Sequence, residues 1–328
     1  MDSSRLQDRF GRTIDYLRVS VTDKCDLRCS YCIPKGFKGF EEPENWLTFD
    51  EMERVISAFA RMDTQRFRLT GGEPLLRRNL PELASRIAAL PGVTDLSLTT
   101  NGTQLAKHAQ ALRAAGVHRL NVSLDSLRGD CVTQITGSDS LPKVLEGLQA
   151  AKAAGFTRIK INMVPMVGVN DHDVDAMVAY CIDNGFVLRM IEAMPMGTTG
   201  QNTQGLQLTE LALQLQDKYG LVPSQEPMGG GPARYWTNPH NGFTLGVITP
   251  MSQHFCETCN RVRLSVDGTL YMCLGQEERL ELRPLLRAGC SDAELEAAIR
   301  HGIELKPEKH EFVEKPEKTI RFMSMTGG

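Results

Sequence analysis

At 328 residues, with 41% hydrophobic and 23% charged side chains, the chain has enough apolar material for one large α/β domain with an appendage, or for two domains. A formal net charge of -3 excludes a globally basic field for non-specific nucleic-acid binding, so any anion site must be local. No run of ~20 apolar residues is present to span a bilayer, and the opening MDSSRLQDRFGRTIDY lacks the basic start and apolar stretch of a secretory signal, so a soluble cytoplasmic protein without nucleic-acid or membrane partners is expected.

Residues 1–14 read as an N-terminal extension. From residue 15 to 197 short strands alternate with amphipathic helices. The strands are expected at DYLRVSV (15–21), RFRLT (66–70), TDLSLTT (94–100), HRLNVSL (118–124), RIKINMV (158–164) and VLRMIEA (187–193). Between them, TFDEMERVISAFARM opens with Thr48 and carries Glu51 three residues later, a capping box. LPELASRIAAL, TQLAKHAQALRAAG, SLPKVLEGLQAAKAAG and DHDVDAMVAYCIDNG follow, the last three stopping at Gly116, Gly155 and Gly185 as helices stop at a C-cap glycine. Repeated βα units imply parallel strands with right-handed crossovers. No G-x-G-x-x-G follows the first strand, and six units are fewer than the eight of a closed barrel, so an incomplete, open TIM-like barrel is expected.

Arg18, Arg68, Lys160 and Arg189 fall inside these strands, with Ser20, Thr70 and Asn162 at even spacing. Helices cover the outer face, so this parity points inward, and a lumen that gathers cations from separate strands calls for an anion. The alternative is pairing with lumen carboxylates such as Glu192 or Asp125. Residues 198–328 change texture: a Gly/Thr/Gln-rich connector, the turn-rich SQEPMGGGPARYW, the β-like GFTLGVITP and the hairpin RVRLSVDGTLYMC turning at Asp267-Gly268. A smaller C-terminal α+β part closing the open side is expected, ending in a flexible Gly-Gly tail.

Six of the nine cysteines form two groups of three. Cys25, Cys29 and Cys32 have C-x3-C-x2-C spacing just after the first strand, at the barrel end where chemistry sits. A [4Fe–4S] cluster needs one thiolate per iron, so three leave one iron open; a structural zinc loop would need a remote fourth ligand. Cys256, Cys259 and Cys273 have C-x2-C-x13-C spacing, which admits zinc with His254 as fourth ligand or a second iron–sulfur cluster. Cys131, Cys181 and Cys290 are isolated and read as ordinary small apolar residues.

The first cysteine motif with Tyr31 inside it, LTGGEPLLR after the second strand, and LTTNG and NVSLDS after the third and fourth resemble the radical S-adenosylmethionine (SAM) superfamily. The resemblance implies a [4Fe–4S] cluster on Cys25, Cys29 and Cys32 whose open iron binds SAM, with Tyr31, Gly72, Ser123 and Met194 contacting SAM. Over nearly the full chain, YLRVSVTDKCDLRCSYC, LTFDEMERVI, LRMIEAMPMG, ARYW, ITPMSQHFCETCNRVRLSVDGTLYMCL and the final GG resemble the GTP 3′,8-cyclases of molybdenum cofactor biosynthesis. That likeness implies a second [4Fe–4S] cluster on Cys256, Cys259 and Cys273 that receives the substrate, and GTP contacts from Arg18, Arg68, Thr99, Lys160, Arg261 and Arg263, with Lys160, Arg261 and Arg263 catalytic. The implied lyase reaction starts with reductive cleavage of SAM to a 5′-deoxyadenosyl radical, which abstracts the ribose 3′ hydrogen of GTP. It ends at 3′,8-cyclo-7,8-dihydroguanosine 5′-triphosphate. Implied partners are an electron donor of unspecified identity and a downstream cyclic pyranopterin monophosphate synthase, with the chain a monomer or homodimer. Gly327 and Gly328 resemble a tail that enters the active site. Two other readings are a radical SAM peptide maturase with an auxiliary cluster, and a zinc-stabilised, non-catalytic binding protein.

Overall fold

A computed structural model describes residues 5–226 and 228–327. The six expected strands are β1 (Tyr16–Ser20), β2 (Arg66–Thr70), β3 (Asp95–Thr100), β4 (Arg119–Ser123), β5 (Ile159–Met163) and β6 (Val187–Ile191). They lie side by side in chain order, each pair parallel. Helices α1 (Phe49–Arg61), α2 (Leu80–Ala88), α3 (Leu105–Ala114), α4 (Gly129–Thr136), α5 (Leu141–Ala153) and α6 (Val174–Asn184) return the chain between them. Strand parity sets the layers. Leu17, Val19, Phe67, Leu69, Leu120, Val122, Ile161 and Leu188 enter the continuous apolar core under the helices, while the alternate residues face the lumen.

Local chemistry fixes several boundaries. Thr48 accepts from the Glu51 amide and Glu51 accepts from the Thr48 amide, closing the capping box. Gly116, Gly155 and Gly185 follow their helices at φ of 87°, 85° and 69°, a left-handed turn that is costly for other residues. Helix α4, not anticipated, occupies the stretch after β4, burying Cys131, Val132 and Ile135.

The C-terminal half extends the same sheet at both ends. It supplies α7 (Gly197–Gln201), α8 (Leu208–Tyr219), β7 (Val222–Pro223), β8 (Arg234–Thr237), β9 (Thr244–Ile248), β10 (Arg261–Leu264), β11 (Thr269–Tyr271), β12 (Arg279–Glu281), α9 (Arg283–Arg287), α10 (Asp292–Glu304) and α11 (Met323–Thr326). Strand β10 pairs parallel to β1, and β9 parallel to β6. The order β12-β11-β10-β1-β2-β3-β4-β5-β6-β9-β8-β7 leaves the barrel open. The connector expected after Pro195 contains α7, where a Cβ on Gly200 would sit 2.3 Å from the Met194 carbonyl oxygen.

The expected flexible end is packed as far as Gly327. Gly197 donates its amide to Thr319, Arg321 and Thr326 are buried, and α11 lies against β1. Gly328, the second glycine of the tail, lies outside the described residues.

Candidate active site

The loop after β1 presents Cys25, Cys29 and Cys32 as free thiols on the wall of a cavity. Tyr31, Gly72, Thr99, Ser123 and Met194 line the same space. The glycine pair of LTGGEP holds the cysteine loop. Gly72 and Glu73 donate their amides to Thr22 and Lys24 at 2.8 Å each. A Cβ on Gly71 would stand 2.1 Å from the Thr22 oxygen, and one on Gly72 would stand 2.3 Å from that of Lys24. From the other side, the last carbonyls of α4, on Ile135 and Thr136, accept the amides of Ser30 and Arg28.

Buried carboxylates surround this site. Glu73 accepts from the Leu75 amide (3.0 Å), the Thr100 hydroxyl (2.7 Å) and the Asn101 amide (2.6 Å). Asn101 in turn points its amide nitrogen at the Cys25 sulfur (3.7 Å) and donates to Asp26 (2.7 Å). The Tyr31 hydroxyl donates to Asp125, which also accepts from the Val164 amide, both at 2.8 Å. Burial pushes the Glu73 carboxyl up to about 7, against the pull of its three donors, and Asp125 up to about 6. Burial likewise pushes Cys25 and Cys32 up to about 12 and raises Cys29, whose neighbours Cys32 and Asp125 add to the effect.

A second cavity meets the first at Asn162, Ile191 and Met194. Arg18, Arg68, Arg189, Arg261 and Arg263 line it together with Cys256, Cys259 and Cys273. Register places Arg263 beside Arg18 and Arg18 beside Arg68, a cationic row across three strands. Among the described residues, buried nitrogens of Arg18 and Arg263 have no hydrogen-bond partner. Burial, then repulsion from Arg68 and Arg263, lowers Arg18 well below its ordinary value, and burial brings Arg68 and Arg263 to about 10. The carboxylates that could have neutralised the row are engaged elsewhere. Glu192 accepts from the Met251 and Ser252 amides at 2.9 and 3.0 Å, and Asp125 serves Tyr31. Arg189 is held by the neutral side chains of Asn162 and Asn121.

Lys160 and Thr99 sit apart from this row. The Lys160 ammonium is buried behind the cavity wall, donating to the Met228 carbonyl (2.5 Å) and the Tyr235 hydroxyl (2.7 Å), and burial followed by Arg189, Arg119 and Arg68 lowers it to about 6. Thr99 faces the first cavity, its buried hydroxyl without a partner among the described residues. Gly327 reaches the lumen, where a Cβ would lie 2.3 Å from the Thr70 methyl group.

Cys256 and Cys259 flank a single turn before β10, and Cys273 follows β11. Each has a buried cation attached. Arg12 donates to the Cys256 carbonyl at 2.8 Å, Arg321 to that of Cys273 at 3.4 Å, and Lys306 to the Cys259 sulfur at 3.5 Å. Burial raises all three thiols, but at Cys259 the charges of Lys306 and Arg261 prevail and bring it to about 7. His254 stacks edge-on against His310 at 6.2 Å, and of the pair it is His310 that lines the cavity. Among the described residues, no three His, Cys, Asp or Glu side chains are arranged around a single ion position.

Glu73 and Asn101 were not anticipated, though the motifs GGEP and TTNG that contain them could have pointed to them, and Asp125, expected only as a partner for the lumen cations, instead serves Tyr31. Lys306, Arg12, Arg321 and Tyr235 carried no local signal.

The Radical SAM superfamily profile matches residues 19–181, and the Molybdenum Cofactor Synthesis C profile matches residues 186–312. The chain is similar to solved structures of Streptococcus suis SuiB bound to S-adenosylmethionine (TM-score 0.65, 14% identity, 95% of this chain and 77% of that one). It is also similar to methylornithine synthase (TM-score 0.50, 14% identity, 65% and 62%). These likenesses establish the open-barrel fold. The GTP 3′,8-cyclase of Paracoccus denitrificans is 46% identical over 98% of this chain and 96% of that protein. That of Pseudomonas fluorescens is 44% identical over 100% of both. This chain belongs to the GTP 3′,8-cyclase family of radical SAM enzymes.

Proposed function

We propose that the two cavities divide the GTP 3′,8-cyclase reaction between them, the first holding SAM and the second GTP. The observation that carries this division is the row Arg263, Arg18 and Arg68, buried, uncompensated and facing a cysteine triad. Such a row is unfavourable until a polyanion enters, and planar guanidinium groups suit the oxygens of a triphosphate. The donor set of the first cavity fits the family's cluster: three reduced cysteines on one wall, with a loop locked by Gly71 and Gly72. Bound there, the cluster and SAM would supply the radical chemistry that leads from GTP to 3′,8-cyclo-7,8-dihydroguanosine 5′-triphosphate.

In this reading Tyr31, Gly72, Ser123 and Met194 seat SAM, while Asn162 and Met194 border the place where the two ligands meet. Arg18, Arg68, Arg261 and Arg263 hold the triphosphate. Lys160 with Tyr235 forms a polar support behind it, and Thr99 offers its free hydroxyl from the SAM side. Cys256, Cys259 and Cys273 would hold a second [4Fe–4S] cluster, on the wall of the cavity proposed for GTP. Arg261 and Arg263 have their catalytic part in fixing the substrate where the radical forms. A separate reductant delivers electrons, and a cyclic pyranopterin monophosphate synthase consumes the product.

The test is anaerobic turnover of reconstituted protein with GTP deuterated at the ribose 3′ carbon. The expected result is deuterium in the 5′-deoxyadenosine. Formation of 5′-deoxyadenosine without deuterium would overturn this placement of the ribose.

A further inference from the structure

We infer that Lys306 is a positioning residue of the second cysteine site, donating a hydrogen bond to the Cys259 sulfur and biasing the group bound there toward its reduced form. The inference rests on the reading that Cys256, Cys259 and Cys273 carry an iron–sulfur cluster.

Lys306 follows α10 and is 1% exposed. An ammonium has three protons to donate, and its three acceptors here are the Met272 carbonyl (2.7 Å), the Arg261 carbonyl (3.0 Å) and the Cys259 sulfur (3.5 Å). The two carbonyls come from the two sides of the β10–β11 hairpin that carries the cysteines. They fix the head so that its third proton meets the sulfur. The lysines in ion pairs among the described residues are Lys218, Lys309, Lys315 and Lys318, and Lys306 is not one of them. The hydrogen bond to Cys259 is the contact through which this buried side chain reaches the cysteine site. Arg12 and Arg321, two of the other cations at this site, hold cysteine carbonyls instead.

A hydrogen bond and a positive charge on a ligating sulfur stabilise the more negative redox state of a cluster. Mere packing would be met by an apolar side chain, whereas this role requires the charge.

The experiment isolates the second site in a Cys25/Cys29/Cys32→Ala protein, reconstituted with iron and sulfide. The cluster is then titrated by electron paramagnetic resonance with Lys, Met or Arg at 306. The expected outcome is that K306M is about tenfold less reduced at the potential where the parent is half reduced. That is a shift of about 59 mV to more negative values for a one-electron couple. K306R is expected to stay close to the parent. A folded K306M with the parent's potential would overturn the inference while leaving the cluster reading intact. Absence of iron and sulfide from the parent itself would overturn the cluster reading, and this inference with it. Should K306M fail to fold, K306Q keeps amide donors for the two carbonyls, removes the charge and the proton that meets the sulfur, and is read against the same two outcomes.

Discussion

The two cysteine sites have the same donors and opposite surroundings. Around Cys25, Cys29 and Cys32 stand Glu73, Asp26 and Asp125, whose charges add to burial in raising the thiols. Around Cys256, Cys259 and Cys273 stand Arg12, Lys306, Arg321, Arg261 and Arg263, and there one thiol is lowered. Ligation needs thiolates, and in the second site Cys259 is drawn down toward one, while Cys256 and Cys273 are raised as the cysteines of the first site are. Negative neighbours favour the oxidised form of a bound cluster and positive neighbours the reduced form. Under the proposed division, the site that gives an electron to SAM has the acidic surroundings, and the site that receives an anionic nucleotide has the basic ones.

Removing one ligand from each site breaks the comparison most sharply. Cys29→Ala is expected to bring 5′-deoxyadenosine formation to background, since SAM loses its cluster. Cys259→Ala is expected to retain SAM cleavage but lose conversion of GTP, and chromatography of both products from single turnovers separates the two outcomes. Equal loss of SAM cleavage in both variants would mean that the sites are not functionally distinct.

Gly72→Ala is expected to act on the first site alone. Its Cβ would lie 2.3 Å from the Lys24 oxygen, a backbone atom that cannot rotate away. The loop must therefore shift, and roughly half the reconstituted iron should be lost, with the Cys256 site filled. Iron and sulfide analysis checks this, and full iron content would show that the loop tolerates the displacement.

The barrel was legible because its signals are local: strand alternation and C-cap glycines each span a few residues, and the observed strands end within two residues of the expected ones. Helix α10 also had a local signal, the Ser291–Glu294 capping box, which a reading centred on cysteines passed over. Helix α4 was hidden by its short GDCVTQIT sequence and the Gly129 that opens it. The packed tail and the basic surround of the second site were not legible. Lys306 meets partners 47, 45 and 34 residues away, a juxtaposition that only the folded hairpin creates.

On the basic side, Arg18→Met and Arg263→Met sharpen the contrast through a trade-off between binding and stability. Each charged hydrogen bond to phosphate lost removes about 1.5–3 kcal/mol, so KM for GTP is expected to rise roughly 10–100-fold. The same substitutions relieve repulsion within the row, so the GTP-free proteins are expected to be more stable by ~1 kcal/mol. Thermal unfolding with and without GTP reads both effects. A variant destabilised without GTP would place its arginine among the structural cations, as Arg119 is through Asp95.

Lys160 gives the smallest effect and ties the electrostatics to substrate entry. Its folded value of about 6 lies below the unfolded value of ~10.4, so between these pH values the unfolded chain binds a proton that the folded chain does not. Stability from this group therefore rises as pH increases from 6 to 10 and is lost as pH falls toward 6. A triphosphate beside Arg68 and Arg189 cancels part of the repulsion and raises Lys160, while burial, the larger cause, remains. GTP binding at pH 8 should then take up a fraction of a proton, measured by calorimetry in buffers of different ionisation enthalpy. Lys160→Met should abolish that uptake and flatten the pH dependence of stability. The acidic site behaves in the opposite sense, since burial raises Glu73 and Asp125 toward neutrality. Uptake that persists in Lys160→Met would therefore point to those carboxylates, and would mean that GTP is sensed across the junction at Asn162 and Met194 and not only within the basic chamber.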